Sequence, residues 1–290
     1  KDNNFKKPQD KVEEIKAFEM KHANTMWQAD TSYFPSIKVN GKKSRMYLIA
    51  IIDDASRHIV HAEFFLNDNA INVQIALKKA VCKYGIPRMF FLDNGGPYKN
   101  GQLEIICASL DITKIHTKIR KPESKAKIER FFKTVKDSWI YSVDWSKFNS
   151  LDSINTEFNL YLSEKYTHKI HSSLNMSPKD RFMNDYERFK FIPKDKIDEY
   201  FLHRVTRKVK KDATINIKTN LFEVPQKYIG QGINIRFDPS DLSQVYIYGK
   251  DNQLKDIACQ LNKIENSKIK RKSIDYSDIS DINEGGLDNG

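Results

Sequence analysis

Cysteine is scarce in this chain. Cys82, Cys107 and Cys259 are the three among 290 residues, far apart and without a C-x-x-C pair. That excludes a disulfide framework and a Cys-rich zinc site, and it fits a reducing compartment. No apolar run approaches the ~20 residues needed to span a bilayer, so no membrane role is expected. No signal peptide is visible at the start. No G-x-x-x-x-G-K-[ST] loop occurs, so the chain has no P-loop, and an ATPase partner would leave no mark here. The first residue is Lys1 rather than Met, and the chain is expected to be a piece of a longer protein. Acid is also in deficit: 49 Lys and Arg stand against 38 Asp and Glu, a formal net charge of +11.

What is present supports a folded, nucleic-acid-facing protein. Apolar residues make up 39% and aromatic residues 11% of the chain, which allows a real core and argues against wholesale disorder. The length suits one large or two modest domains. The basic balance suits a polyanionic partner such as nucleic acid.

In chain order, residues 1–24 read as a polar, basic linker remnant. Residues 25–192 form the main domain. T-M-W-Q-A-D-T-S-Y-F is a first strand with Asp30 midway, V-N-G-K-K-S a turn, and R-M-Y-L-I-A-I-I-D-D a strand apolar on both faces. D-D-A-S-R is a hairpin connection, in which Asp53 and Asp54 read as turn residues rather than metal ligands, and H-I-V-H-A-E-F-F a third strand. Asn69 to Tyr84 is helical, with Gly85 as its stop. R-M-F-F-L is a short buried strand that delivers Asp93 to an Asn-Gly-Gly-Pro turn. Gln102 to Leu110 is a second helix and I-T-K-I-H-T-K a fifth strand. In the next helix, Ile128, Phe131, Phe132, Val135 and Trp139 form one apolar stripe, with Ser124 as N-cap. Leu151 to Tyr166 is a further helix. His168 and His171, although spaced like metal ligands, read as structural or surface residues. Asn184 to Lys196 reads as a short helix and a loop. Residues 193–212 read as a basic linker, whose Arg207, Lys208, Lys210 and Lys211 are candidates for DNA-backbone contacts. Short β-segments over 213–255 predict a small β-barrel. Residues 256–290 read as a disordered tail.

The chemistry is expected from three acids. The order β-β-β-α-β-α-β-α predicts an α/β fold with a mixed sheet and helices on its faces. Its central strand, carrying Asp30, can lie beside the strand ending in Asp93. A helix packed across the sheet can bring up Glu129, with 35 residues between Asp93 and Glu129. Three crowded carboxylates repel and stay ionised together only if cations neutralise them. Hard oxygen ligands favour Mg²⁺ or Mn²⁺, and two such ions can serve phosphoryl transfer. Lys125 and Lys133 share the Glu129 side of the helix by the i±4 rule and are candidates for DNA contacts.

Together, W-Q-A-D-T, L-I-A-I-I-D-D-A-S-R, Y-G-I-P-R, L-D-N-G and K-I-E-R-F-F-K resemble the catalytic core of the retroviral integrase superfamily, and among its members the bacterial insertion-sequence and Mu-like DDE transposases. H-K-I-H-S-S-L-N-M-S-P-K-D-R-F resembles their post-catalytic segment, and Thr214–Tyr248 the small barrel of the Mu transposase C-terminal region. The resemblance spans roughly Thr25 to Tyr248. It implies an RNase H-like five-stranded sheet and the catalytic, metal-binding acids Asp30, Asp93 and Glu129. Asp30 would bridge two metal ions. It further implies DNA end cleavage by water, then attack of the freed 3′-hydroxyl on target DNA, by a homo-oligomer on DNA in the bacterial cytoplasm, associated with the nucleoid. The chain departs from the family in S-K-A-K before Glu129, where Gly is frequent, and an upstream end-binding domain is not expected within this stretch. A hydrolytic nuclease of the same fold and a non-catalytic DNA-binding derivative of a transposase are the competing readings.

Overall fold

The computed structural model describes residues 19–39, 41–116 and 125–261. Residues 1–18 of the expected linker remnant, the Ser124 cap and the tail after Leu261 lie outside the described residues. Two compact units divide between His203 and Arg204.

The first unit is a five-stranded sheet in the order β3-β2-β1-β4-β5, as the RNase H-like expectation requires. Strand β1 (Met26–Val39) is central. It pairs antiparallel with β2 (Lys42–Asp53) and parallel with β4 (Met89–Leu92). Outside these lie β3 (Ile59–Phe65) and β5 (Thr113–His116). The first hairpin is tighter than the V-N-G-K-K-S reading. Lys42, Lys43 and Ser44 already belong to β2, because backbone pairing continues past the last apolar residue into an exposed ribbon. The register shifts between Phe34 and Ser36, at the site of Pro35, which cannot donate to the ladder.

Strand alternation sorts the core into two layers. Ile49 and Ile51 face one side of the sheet, where they pack with Trp27, α1 (Ala70–Tyr84) and α2 (Gly101–Ser109). Leu48, Ala50 and Ile52 face the other, against the helix that carries Glu129. Helix α1 opens on Asn69, whose side chain accepts from the Asn72 N–H. It closes on Gly85 at φ +81°. A Cβ there would stand 2.5 Å from the Lys190 carbonyl oxygen, so the stop needs glycine on two counts.

The expected stripe is buried throughout: Ile128, Phe131, Phe132, Val135 and Trp139 are all inaccessible or nearly so. Each contributes roughly 1.5–3 kcal/mol of burial. Helix α3 (Ala126–Thr134) passes into a π turn (Val135–Trp139) and a last short α-helical turn, α4 (Ile140–Ser142). Trp139 then stacks on Phe64 of β3 at 5.3 Å between centroids. Helix α5 (Leu151–Tyr161) completes this layer through Ile154 and Phe158. Two short helices, α6 (Pro178–Met183) and α7 (Ile197–Phe201), add Phe182, Ile197 and Phe201 to the opposite layer.

The second unit is a six-stranded antiparallel sheet, nearly closed into a barrel, in the order β6-β9-β10-β11-β8-β7. Its strands are β6 (His203–Lys208), β7 (Thr214–Ile217), β8 (Asn220–Glu223), β9 (Gly232–Phe237), β10 (Val245–Tyr248) and β11 (Leu254–Gln260). Ile215, Phe222, Ile235, Val245 and Ile247 fill its interior. Two boundaries differ from the sequence reading. The stretch taken for a basic linker contains α7 and β6. The stretch taken for the start of the tail, Asp256 to Gln260, is the second half of β11, which pairs with both β10 and β8. Neither strand has an apolar stripe to announce it, and backbone pairing alone recruits them.

Candidate active site

Sheet register brings the first two acids together. Gln28 of β1 pairs in parallel with Phe91 of β4. Carrying that register on by two residues sets Asp30 beside Asp93, on the same face, with strands about 4.8 Å apart. On its other side Asp30 pairs with Ala50, which belongs to the layer under α3. Asp30 therefore projects toward the helix that carries Glu129.

Both carboxylates are held by their own backbone. The Thr31 N–H donates to Asp30 Oδ1 at 2.9 Å, and the Asn94 N–H donates to Asp93 Oδ1 at 2.6 Å. From β5, His116 Nδ1 donates to the Asp93 carbonyl at 3.0 Å, tying the loop back to the sheet. Below Asp30, Thr31 Oγ1 shares a 2.6 Å hydrogen bond with the hydroxyl of the buried Tyr98. Burial pushes the Tyr98 phenol far up, so it stays a neutral hydrogen-bonding group.

Lys125 closes the arrangement. Its ammonium lies 3.2 Å from Asp30 Oδ1 and 3.3 Å from Asp93 Oδ2, and its side chain is only 12% exposed. Burial raises the Asp30 pKa above the usual carboxylate value. The Lys125 charge and the Thr31 N–H oppose that rise, and the neighbouring Asp93 charge adds to it. The sequence reading expected Lys125 to face DNA. Here it faces the acids.

Glu129 follows one helical turn after Lys125 and is exposed. Among the described residues no group of three or more His, Cys, Asp or Glu side chains could together hold a metal ion. Asp30 and Asp93 share the Lys125 ammonium, and Glu129 lies exposed on α3.

The remaining candidates fall as follows. Lys133 is exposed on α3, and Lys136 lies over the Phe34 ring at 5.4 Å. Arg207, Lys208, Lys210 and Lys211 are exposed along β6 and the turn into β7. Arg207 also donates to the backbone carbonyls of Asn216 and Thr206. His168 and His171 bond locally to Ser163 and Ser173. Asp53 ends β2 and Asp54 opens the turn after it. Asp53 accepts from the Asn24 N–H, the Ser56 N–H and the Ser56 hydroxyl. Asp54, fully buried, pairs with Lys127 at 2.5 Å. That ion pair, which the sequence reading missed, anchors the first turn of α3 to the end of β2. A cavity of about 1090 Å³ opens beside α3, lined by Arg57, Lys127, Arg130, Lys165 and Lys169 among others. It contains neither Asp30 nor Asp93. Its basic lining was invisible in the sequence because the residues come from three separate stretches.

Comparison with known proteins agrees with the fold. Residues 20–122 match the family described as integrase core domain, and residues 198–255 match Mu transposase, C-terminal. The first match stops short of Glu129. The transposase for transposon Tn552 of Staphylococcus aureus is 26% identical over 302 residues, covering 91% of this chain and 61% of that protein. The transposase for insertion sequence element IS21 of Pseudomonas aeruginosa is 24% identical over 127 residues, covering 44% of this chain and 32% of that protein. The chain therefore spans less than two thirds of the length of these relatives. A cryo-EM structure of the simian T-cell lymphotropic virus intasome in complex with PP2A regulatory subunit B56 gamma shares the fold. The match is 16% identical, covers 88% of this chain and 84% of that one, and has a TM-score of 0.50.

Proposed function

We propose that this chain, an integrase core joined to a Mu transposase C-terminal domain, is the catalytic part of a DDE transposase. It would be a polynucleotidyl transferase that cuts DNA at transposon ends and joins the freed 3′-hydroxyl to target DNA. The observation that carries this reading is the convergence of Asp30 and Asp93 on a single cation, the Lys125 ammonium, across adjacent parallel strands. Two carboxylates aimed at one positive charge are a hard-oxygen donor set, which fits Mg²⁺ or Mn²⁺ and does not favour Zn²⁺. Glu129, on the helix that packs over the same face, would complete the set. Two divalent ions held there would supply activation of the attacking oxygen and charge stabilisation of the leaving one.

The chain's own work is positioning. The Thr31 N–H orients Asp30, and the Asn94 N–H orients Asp93. Asp30 sits within β1 and Asp93 directly follows β4, both fixed by sheet pairing, so little reorganisation is required when substrate arrives. Lys133 on α3, and Arg207, Lys208, Lys210 and Lys211 in the second unit, supply positive charge for duplex phosphates. Joining two ends calls for more than one copy on DNA, and the bacterial relatives point to the bacterial cytoplasm as the setting.

The test is a joining assay with a duplex oligonucleotide bearing a free 3′-hydroxyl, a supercoiled plasmid, and Mg²⁺ or Mn²⁺. Metal-dependent joined product that Asp93→Asn abolishes is expected. Joining that persists in Asp93→Asn, or without metal, would sink the reading. Nicked plasmid with no joined product would identify a hydrolytic nuclease instead. Salt-sensitive DNA binding with neither product would identify a non-catalytic DNA-binding protein.

A further inference from the structure

Lysine is among the residues least often buried, because its ammonium is strongly hydrated. Lys125 breaks that habit. It stands at the entry to α3 with its amine turned inward between two aspartates and its side chain 12% exposed. It makes no helix cap there. Its partners explain the burial. Asp30 is largely buried, and its ionised form, beside the charge of Asp93, needs a cation close by. The carboxylates that meet the ammonium are the two that a divalent ion would require. One site cannot serve both cations.

We propose that Lys125 is a built-in competitor of the catalytic metal. It neutralises Asp30 and Asp93 until a divalent ion displaces it, and the released ammonium is then taken up by a DNA phosphate. This rests on the metal-binding reading above. Two consequences follow from linkage. Metal binds less tightly to the free protein than its donor set alone would allow, because the amine must be expelled. DNA and metal favour one another, because each stabilises the position of Lys125 that suits the other. Metal loading is thereby tied to the presence of substrate. Lys125 acts here as a positioning residue, through the two acids.

The experiment is a Mn²⁺ titration of the full chain by calorimetry, at low ionic strength, with and without a duplex oligonucleotide. Lys125→Met removes the amine and nearly keeps the length of the side chain. Lys125→Arg keeps the charge. Lys147→Met removes an exposed charge of the same unit that pairs with Asp144 instead. Lys125→Met is expected to bind Mn²⁺ about tenfold more tightly than wild type without DNA, the scale of one lost competing ion-pair network. Lys125→Arg and Lys147→Met are expected to stay near wild type. DNA should tighten Mn²⁺ binding in wild type and not in Lys125→Met. Equal or weaker Mn²⁺ binding by Lys125→Met, in a chain whose wild type binds Mn²⁺ and whose Asp30→Asn variant does not, would overturn the competition and leave the metal site standing. If neither wild type nor Lys125→Met binds Mn²⁺, the metal reading and the competition fall together.

Discussion

Acidification should weaken the first unit through one histidine. His58 is 3% exposed, and both its ring nitrogens are buried without a hydrogen-bond partner. Its imidazole is packed edge-on to the Tyr84 ring at 5.0 Å and tilted against Phe182 at 4.8 Å. Burial, helped by the charges of Lys83, Lys179 and His168, pushes its pKa down from 6.5 to about 3. The unfolded chain takes up a proton on this residue below pH 6.5 and the folded chain does not. Stability is therefore fully present above pH 6.5 and is lost as pH falls toward 3, by about 1.4 kcal/mol per unit. Between pH 6.5 and 5 the loss from His58 alone is roughly 2 kcal/mol. Asp53, whose pKa burial raises to about 6, works in the opposite sense between pH 6 and 3.8, but a mutant comparison cancels it. The perturbation is His58→Leu, closer in size to imidazole than a phenyl ring. The assay is urea unfolding at pH 7 and pH 5, followed by tryptophan fluorescence. All three tryptophans, Trp27, Trp139 and Trp145, belong to the first unit, so the signal reports that unit alone. Wild type should lose about 2 kcal/mol more than the variant between the two pH values. An equal loss in both proteins would refute the assignment of the sensitivity to His58.

Other outcomes follow from single contacts. Lys127→Met leaves the fully buried Asp54 carboxylate with the Gln28 amide and the Met20 N–H as its donors among the described residues. It should cost about 3 kcal/mol in urea unfolding, with Lys127→Met/Asp54→Asn recovering most of that. A double variant as unstable as the single one would show that the pair is not the cause. Gly85→Ala forces a Cβ to 2.5 Å from the Lys190 carbonyl oxygen at φ +81° and should lower stability by at least about 1–2 kcal/mol. An unchanged melting temperature would contradict it. Replacing Arg207, Lys208, Lys210 and Lys211 with Gln should flatten the log–log salt dependence of duplex binding by about 3 to 4 units if all four meet phosphates. An unaltered slope would remove them from the interface.

Much of the site was legible because strands and helices print their periods in the chain. A run of apolar residues ending in Asp93 and an alternating run around Asp30 locate two strands, and parallel pairing then makes them neighbours. The 3.6-residue stripe from Ile128 to Trp139 locates the buried face of α3 and so the side on which Glu129 stands. The Asp53–Asp54 turn and the Gly85 stop were readable for the same reason, since turns have residue requirements of their own. Strands β6 and β11 were not readable. R-V-T-R-K and L-K-D-I-A-C-Q bury little, and what makes them strands is the row of backbone donors on β9, β10 and β8.

The amino-acid order by itself therefore determined which residues are apolar and at what spacing, where the chain turns, and that three acids precede or interrupt buried elements. The direction taken by a long side chain is another matter. Lys125 has the same spacing from Glu129 whether its amine meets solvent, DNA or the two aspartates. Only the packed sheet, which sets Asp30 and Asp93 side by side and largely buries Asp30, makes the inward position the favourable one. Likewise only that packing decided that the two aspartates share a cation while Glu129 stands exposed. Charge repulsion acts across distances that tertiary structure creates, and no local stretch of sequence contains them.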